Sequence, residues 1–223
     1  MGVNVIVSYD GTANDDDGLA LARMLAGSGS SISLAYVRHS REYDHRREEI
    51  AEHDAERRLE LGAVWLKDPK VPRHIVLNPS TGAGLAELAE SEGAALVVFG
   101  SDYRTSPGRV EPGGAAQQML SGGSVAVAVA VAGLRTSSST TISTISALSA
   151  EGDDAPQQTA TALAQATGAT LATDGDRTAD LIVVGSQPAA QAGRIALSGP
   201  TRAQLDSARS SVLVVPRATP IAF

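Results

Sequence analysis

An open, mostly parallel five-stranded α/β sheet flanked by helices, followed by a shortened repeat of the same fold, is the architecture that this chain predicts. Three observations lead there. Short β-rich apolar runs alternate with helical patterns, as in a parallel sheet with crossover helices. The fourth run, Ala95 to Phe99, is apolar without alternation, as a strand buried on both faces is. And Leu96-Val-Val-Phe-Gly-Ser101 returns as Leu181-Ile-Val-Val-Gly-Ser186, with Gly108-Arg-Val110 returning as Gly193-Arg-Ile195 at the same spacing.

The elements follow in order. Val3 to Ser8 is the first strand, and Asp15-Asp-Asp17 brings negative charge to a helix start, after which Leu19, Ala22 and Ala26 keep helical spacing until Gly27. Ile32 to Val37 is the second strand. A long charged helix covers about Tyr43 to Leu61, with Ile50, Ala51, Ala55, Leu59 and Gly62 as a narrow apolar stripe and a solvated charged face. Arg73 to Leu77 is a strand, Ala83 to Ser91 a helix, and Ala95 to Phe99 the fourth strand. A glycine-containing loop from Gly100 to Gly114 enters a short helix, Ala115 to Leu120, and then a fifth strand at Val125 to Val131. Residues 134–140 read as a Ser/Thr-rich linker between a domain of residues 1–133 and one of residues 141–223. The pattern then restarts with strands at Thr141 to Leu148, Thr170 to Ala172, Leu181 to Val184 and Val212 to Val215, and helices at Ala155 to Thr167 and Arg202 to Ala208. This second part has no room for the long charged helix, the third strand or the third helix.

Composition narrows the partners. A net charge of −7 and the lack of any Lys/Arg cluster speak against nucleic acid. With no cysteine there is no thiolate nucleophile and no zinc site of the cysteine type. No apolar run has membrane-spanning length, and the chain opens on a strand pattern with no export signal, so a soluble cytoplasmic protein is expected. The core must rest on Val, Leu, Ile and Ala, because aromatics make up only 3% of the chain.

The chemistry gathers at one sheet edge. The first strand ends at Ser8-Tyr9-Asp10-Gly11-Thr12, placing Asp10 where open α/β sheets take their ligands. The fourth ends at Gly100-Ser101 on the same edge, and Gly113-Gly114 opens a helix whose free N–H groups favour an anion. An acid for a sugar or base and an N–H nest for phosphate make a nucleotide site. The same glycines also serve any strand-to-helix turn, and that reading stays open.

The opening Val-Ser-Tyr-Asp-Gly-Thr resembles the Val-Asp-Gly-Ser start of universal stress proteins, and Val98-Phe-Gly-Ser with Gly108-Arg-Val and Gly113-Gly resembles their signature loop. The resemblance covers residues 1 to about 132, then about 141 to 217 with a central deletion, so it implies a tandem form with one complete and one truncated copy of an adenine nucleotide alpha hydrolase-like fold. It implies a cofactor site of Ser8, Tyr9, Asp10, Val37, Gly100, Ser101, Gly108, Arg109, Gly113, Gly114 and Ala115. In it Asp10 and Val37 flank adenine, while Gly100, Ser101, Gly113, Gly114 and the Ala115 N–H face phosphates. Nucleotide-binding members read Gly, two residues, Gly, nine residues, Gly, then Ser or Thr; here Tyr103 takes the middle Gly position and Gly114 the hydroxyl position. In the second copy Pro188 and Ser198 replace two of the glycines, and no nucleotide is expected there. The function implied is a non-enzymatic cytoplasmic stress-response or signalling protein that binds ATP or another adenine nucleotide in its first copy without turnover. The alternative is a degenerate member that binds none and acts through other proteins or self-association. Family subunits pair through the last strand, so Val125 to Val131 and Val212 to Val215 are expected where the halves meet, imitating a dimer.

Enzyme readings are weaker. Asp10-Gly-Thr12 and Gly175-Asp-Arg-Thr-Ala-Asp180 are similar to motifs of haloacid-dehalogenase-type phosphatases, but Ser8 stands where their nucleophilic Asp belongs, with no base to activate it. Consecutive acids Asp15 to Asp17 point in different directions on a helix and serve its start better than a metal. His39, His45, His53 and His74 form no acid–His–nucleophile order.

Overall fold

The computed structural model describes residues 2–26, 29–173, 176 and 178–223. Strand β1 (Asn4–Ser8) leads to helix α1 (Ala13–Ala26), β2 (Ser31–Arg38), α2 (His45–Leu66), β3 (Arg73–Leu77), α3 (Thr81–Ser91), β4 (Leu96–Phe99), α4 (Gly114–Met119) and β5 (Ala126–Val129). The chain continues with β6 (Thr144–Leu148), α5 (Ala155–Thr167), β7 (Thr170–Leu171), β8 (Leu181–Val184), α6 (Gly199–Asp206) and β9 (Ser211–Val214). The stop expected at Gly27 lies outside the described residues.

The nine strands among the described residues join one sheet in the order β3-β2-β1-β4-β5-β9-β8-β6-β7. Every neighbouring pair is parallel except β5 and β9, which run antiparallel with Ala128 opposite Leu213. Crossover helices dictate the parallel pairs. Counting outward from the antiparallel junction, β9-β8-β6-β7 repeats the order β5-β4-β1-β2, and among the described residues α2, β3 and α3 have no counterpart. The long second strand of the first half, eight residues, shrinks to two in β7.

Each half buries apolar strands between helices on two faces. On one face Leu19 and Leu25 of α1, Leu59 of α2 and Leu163 of α5 pack against Val5, Val7, Val98, Ile145 and Val183. On the other, Leu85 of α3, Met119 of α4 and Leu205 of α6 pack against Ile6, Val97, Val127, Ile182 and Val212. The strands at the junction, β5 and β9, are buried throughout. Both are interior to the sheet, so the final strands offer no free edge to a second chain, and the expected self-association through them is taken up inside one molecule.

Two local expectations change. Helix α2 runs on to Leu66 and stops at Lys67 in a left-handed conformation, and its Ile50 is exposed, the buried stripe being Ala55, Leu59, Gly62 and Ala63. The Ser/Thr-rich stretch does not begin as a free tether. Residues Leu134–Thr136 form a 3₁₀ turn held by the fully buried carboxylate of Asp17, which accepts from the N–H groups of Gly133 (2.8 Å) and Arg135 (2.7 Å) and from the Arg135 guanidinium (2.8 Å). A buried carboxylate needs such partners, and here they come from far along the chain.

Candidate functional site

The carboxyl ends of β1 and β4 lie side by side because the two strands pair directly, Val5 opposite Leu96 and Val7 opposite Val98. Their loops are then stitched together by the start of α1. The Asn14 side-chain amide donates to the carbonyls of Ser101 (3.1 Å) and Asp102 (2.7 Å), while the Asp15 carboxylate accepts from the N–H groups of Asp10 and Thr12, each at 3.0 Å. The three consecutive acids do separate work: Asp15 holds the Asp10 corner, Asp16 accepts from the Tyr9 hydroxyl at 3.1 Å, and Asp17 anchors the turn after β5. Burial, reinforced by Asp10 beside it, pushes the Asp15 carboxyl up to about 8. Burial also raises Tyr9 and Asp16 above their ordinary values.

At the edge itself Asp10 is exposed, and one of its carboxylate oxygens accepts from Thr12 N–H. Arg58 of α2 reaches over it, donating to the Asp10 carbonyl at 2.7 Å and to Asp54 at 2.9 Å while lying over the Tyr36 ring. Tyr9 is buried, its ring in the core and its hydroxyl committed to Asp16. Ser8, partly exposed, ends β1. Val37 is buried beneath α3 on the opposite face of the sheet from Tyr9, so the pair implied to flank adenine differs: Asp10 is open and Val37 covered.

The Gly–Ser turn after β4 has a packing explanation. A Cβ on Gly100 would sit 1.9 Å from the Asn14 carbonyl oxygen, so only glycine lets α1 approach β4 this closely. Ser101 is buried, its hydroxyl donating to the Ala130 carbonyl (2.7 Å) and accepting from Glu111 N–H (3.2 Å). That hydroxyl ties the loop to the end of β5 and does not face the solvent edge. The second half repeats the device: Ser186 donates to the Val215 carbonyl and accepts from Ala196 N–H, and a Cβ on Gly185 would meet Pro156 Cγ at 2.5 Å. Gly108 and Gly193 both take positive φ, 75° and 76°, and donate to Ala132 and Arg217 carbonyls respectively. Arg109 lines a polar groove of about 370 Å³ with Arg104, Glu111 and Asp206 of α6.

Beyond the loop the halves part. Gly113 caps α4 without a side-chain hydrogen bond, and nothing stands within 4 Å of where a Cβ on Gly114 would be, so no side chain covers the start of α4 at that point. The nearest neighbour of a Cβ on Gly113 would be an Asp102 carboxylate oxygen at 3.9 Å. In α6, Ser198 holds the cap position and accepts from Thr201 N–H. Tyr103, at the position of the missing glycine, is exposed, carries no positive φ and is overlain by the Arg104 guanidinium at 4.8 Å. The structure thus brings Asp10, Gly100, Gly113, Gly114 and Ala115 to one edge and turns Ser101 and Tyr9 inward. Sequence reasoning missed Asn14, Asp15, Arg58 and Asp102, which share this edge; only the Asp15 acid run gave any signal, and it read as helix-start charge.

The phosphatase-like pairing is not assembled. Asp180 precedes β8 and accepts from the N–H groups of Ser143 and Thr144 at the start of β6, the opposite end of the strands from Asp10, in the other half of the sheet. Gly175 and Arg177 of that motif lie outside the described residues. Among the described residues no cluster of three or more His, Cys, Asp or Glu could hold a metal, and no helix is long and apolar enough to cross a membrane.

This is the fold of the open, mostly parallel α/β class, with the ends of β1 and β4 brought to one edge. The sequence profile of the universal stress protein family matches residues 3–131, and the chain belongs to that family. Among solved structures, a universal stress protein from Archaeoglobus fulgidus DSM 4304 is similar over 96% of this chain and 98% of its own, at 13% identity and a TM-score of 0.67. A protein from Pseudomonas aeruginosa UCBPP-PA14 described as a candidate universal stress protein covers 97% and 94%, at 13% identity and a TM-score of 0.62. These likenesses extend the shared fold over both halves of the chain. No curated protein sequence matches.

Proposed function

We propose that this chain is a non-catalytic stress-response or signalling protein of the cytoplasm, one complete universal stress protein copy (residues 1–133) joined through residues 134–140 to a shortened second copy (residues 141–223), whose first copy binds an adenine nucleotide of low charge, AMP or cAMP in preference to ATP. The supporting observation is the open, uncapped start of α4 at Gly113–Gly114, on the same edge as the exposed Asp10. Free N–H groups there suit one phosphate. Gly113, Gly114 and Ala115 would hold it, and Asp10 would meet the sugar or base.

Two carboxylates, Asp10 and Asp102, border that edge beside the protonated Asp15, and Arg58 is already engaged by Asp54. At an effective dielectric of 20, two like charges 8 Å apart repel by about 2 kcal/mol, and the term grows with each phosphate. A triphosphate therefore fits worse than a monophosphate or a cyclic phosphate. Calorimetry with cAMP, AMP and ATP tests this. AMP or cAMP should bind at least tenfold more tightly than ATP, Asp10→Ala should abolish binding, and Asp102→Asn should narrow the gap to ATP. Tighter binding of ATP by the unaltered chain would sink the preference.

The second reading, a member acting only through protein contacts, draws on the inward-turned Ser101 hydroxyl and on Tyr103 in place of glycine. Absence of heat with every nucleotide selects it. In either reading nucleic acid and membranes are not ligands, consistent with the net charge of −7.

A further inference from the structure

Helix α2 keeps Ala55, Leu59, Gly62 and Ala63 against the rest of the molecule, and its opposite side is open: Ile50 is 62% exposed, Leu61 54% and Val64 65%. Single apolar residues on a surface are ordinary. These three, however, fall on one line with Arg47, Asp54 and Arg57, in which successive residues are three, four, three, four and three positions apart. That alternation is the spacing of a seam between two helices packed along their length. The order along the line is as specific as the spacing. From its N-terminal end it runs Arg47, Ile50, Asp54, and from its C-terminal end Val64, Leu61, Arg57, so apolar residues flank a central pair of opposite charges.

We propose that two copies of this chain associate through this side of α2, antiparallel about a two-fold axis level with the turn between Asp54 and Arg57. Laid against itself in reverse, the line is self-complementary. Asp54 meets the second copy's Arg57 and Arg57 its Asp54, Ile50 and Leu61 pack on each other twice, and the aliphatic stem of Arg47 covers Val64. Within one chain Asp54 already accepts from Arg57 at 2.8 Å and from Arg58 at 2.9 Å, so the carboxylates at the centre stay paired and no charge is covered alone. A parallel pair would set Asp54 on Asp54 and Arg57 on Arg57, and like charges in contact oppose that orientation.

The contact closes on itself. Among the described residues the second half has no counterpart of α2, so each chain carries one such line, and an isologous contact of this kind stops at a dimer. It is also small. A contact two helices wide falls below the roughly 1,200 Å² of a standard protein interface, so the dimer should be weak and reversible. It uses a surface distant from the final strands, which already pair inside the molecule. The proposal goes beyond the nucleotide reading and stands whether or not the first-half edge binds one.

Sedimentation of the full chain from micromolar to millimolar concentration should show a monomer–dimer equilibrium, and Ile50→Asp should weaken it at least tenfold. Asp54→Arg alone and Arg57→Asp alone should each be monomeric, because each sets like charges together on both sides of the axis. An equimolar mixture of the two should dimerise again, every cation once more facing an acid, a rescue that a folding defect in either variant cannot imitate. The register has its own readout. In a chain without cysteine, Ile50→Cys combined with Leu61→Cys puts two thiols about 16 Å apart along one helix, too far to join within a chain, and oxidation should link position 50 of one copy to position 61 of the other. A chain that stays monomeric at millimolar concentration overturns the proposal and leaves this side of α2 to a different partner. A dimer indifferent to Ile50→Asp, a mixture of the charge variants that stays monomeric, or links from 50 to 50 overturn it as well.

Discussion

The turns after β4 and β8 carry the same residues and make the same bonds, yet only the first is followed by an open helix start. Gly100-Ser101 and Gly185-Ser186 each seat a helix against a strand and each send a serine hydroxyl to the last strand of their half. Because the second half keeps this pair while capping α6 with Ser198, the Gly–Ser motif belongs to packing, and the proposed phosphate contacts fall in what comes after it, the bare Gly113–Gly114. Repetition within one chain thus separates the residues that build the fold from those in which the two halves differ.

The largest expected difference between the halves comes from one substitution made twice. In Gly100→Ala the new methyl meets the Asn14 carbonyl oxygen, part of the helix backbone, at 1.9 Å, and cannot be relieved without moving α1. In Gly185→Ala it meets the Pro156 ring at 2.5 Å, a side chain with some freedom to pucker and shift. Overpacking a core costs about 1–3 kcal/mol and occasionally more, so Gly100→Ala should fall at or above the top of that range and Gly185→Ala in its lower half. Urea unfolding of both variants measures the difference, and equal losses would contradict the backbone-clash account.

A smaller effect sharpens the contrast at the helix starts. Asp15, held up to about 8 by burial and then by Asp10, keeps a proton in the folded chain that it loses when unfolded, where its value is the ordinary 3.8. The stability this contributes is complete below about pH 4 and is lost as the pH rises through about 8. Asp15→Asn keeps an acceptor for Asp10 and Thr12 and removes the titration. It should therefore match the parent near pH 4 and be more stable than the parent at pH 8.5, with the gap opening between those values. A parent that grows more stable from pH 5 to pH 8 relative to Asp15→Asn would reverse the sign and refute the burial argument. The corner in the second half is built on Asp153, whose carboxylate accepts from Ala155 and Ala218 N–H groups.

Much of the fold was legible because the strongest signals are local. Arg73–Leu77, Ala155–Thr167 and Leu181–Val184 begin and end where apolar runs, helical spacing and a left-handed Gly168 place them. The misreadings come from contacts distant in sequence. Gly62 reads as the end of a stripe, but it lies inside α2, and glycine is needed there because a Cβ would meet Leu34 Cδ1 at 2.8 Å. The 3₁₀ turn at Leu134–Thr136 depends on Asp17, more than a hundred positions earlier, and no local pattern announces it. At the site, the positions of Asp10 and Gly113–Gly114 on one edge could be read from strand ends, whereas the inward turn of Ser101 depends on a carbonyl at the end of β5 and could not.

The smallest expected effect is also the most informative about the edge. Gly113 and Ser198 hold matching cap positions with nearly the same backbone, φ −67°, ψ 171° against φ −69°, ψ 160°. Gly113→Ser should therefore fit without strain, since its new Cβ would have only Asp102 as a neighbour, at 3.9 Å. Its hydroxyl would accept from a first-turn N–H of α4, as Ser198 does from Thr201, and replacing a glycine cap by serine is worth only a few tenths, about 0.3 kcal/mol, of added stability. The same hydrogen bond would occupy a donor that the nucleotide proposal reserves for phosphate. Thermal unfolding should thus show a slight gain while calorimetry shows a weaker fit for AMP or cAMP, opposite movements from one atom. A variant that gains stability and keeps full nucleotide affinity would place the phosphate elsewhere and detach the ligand from the open start of α4.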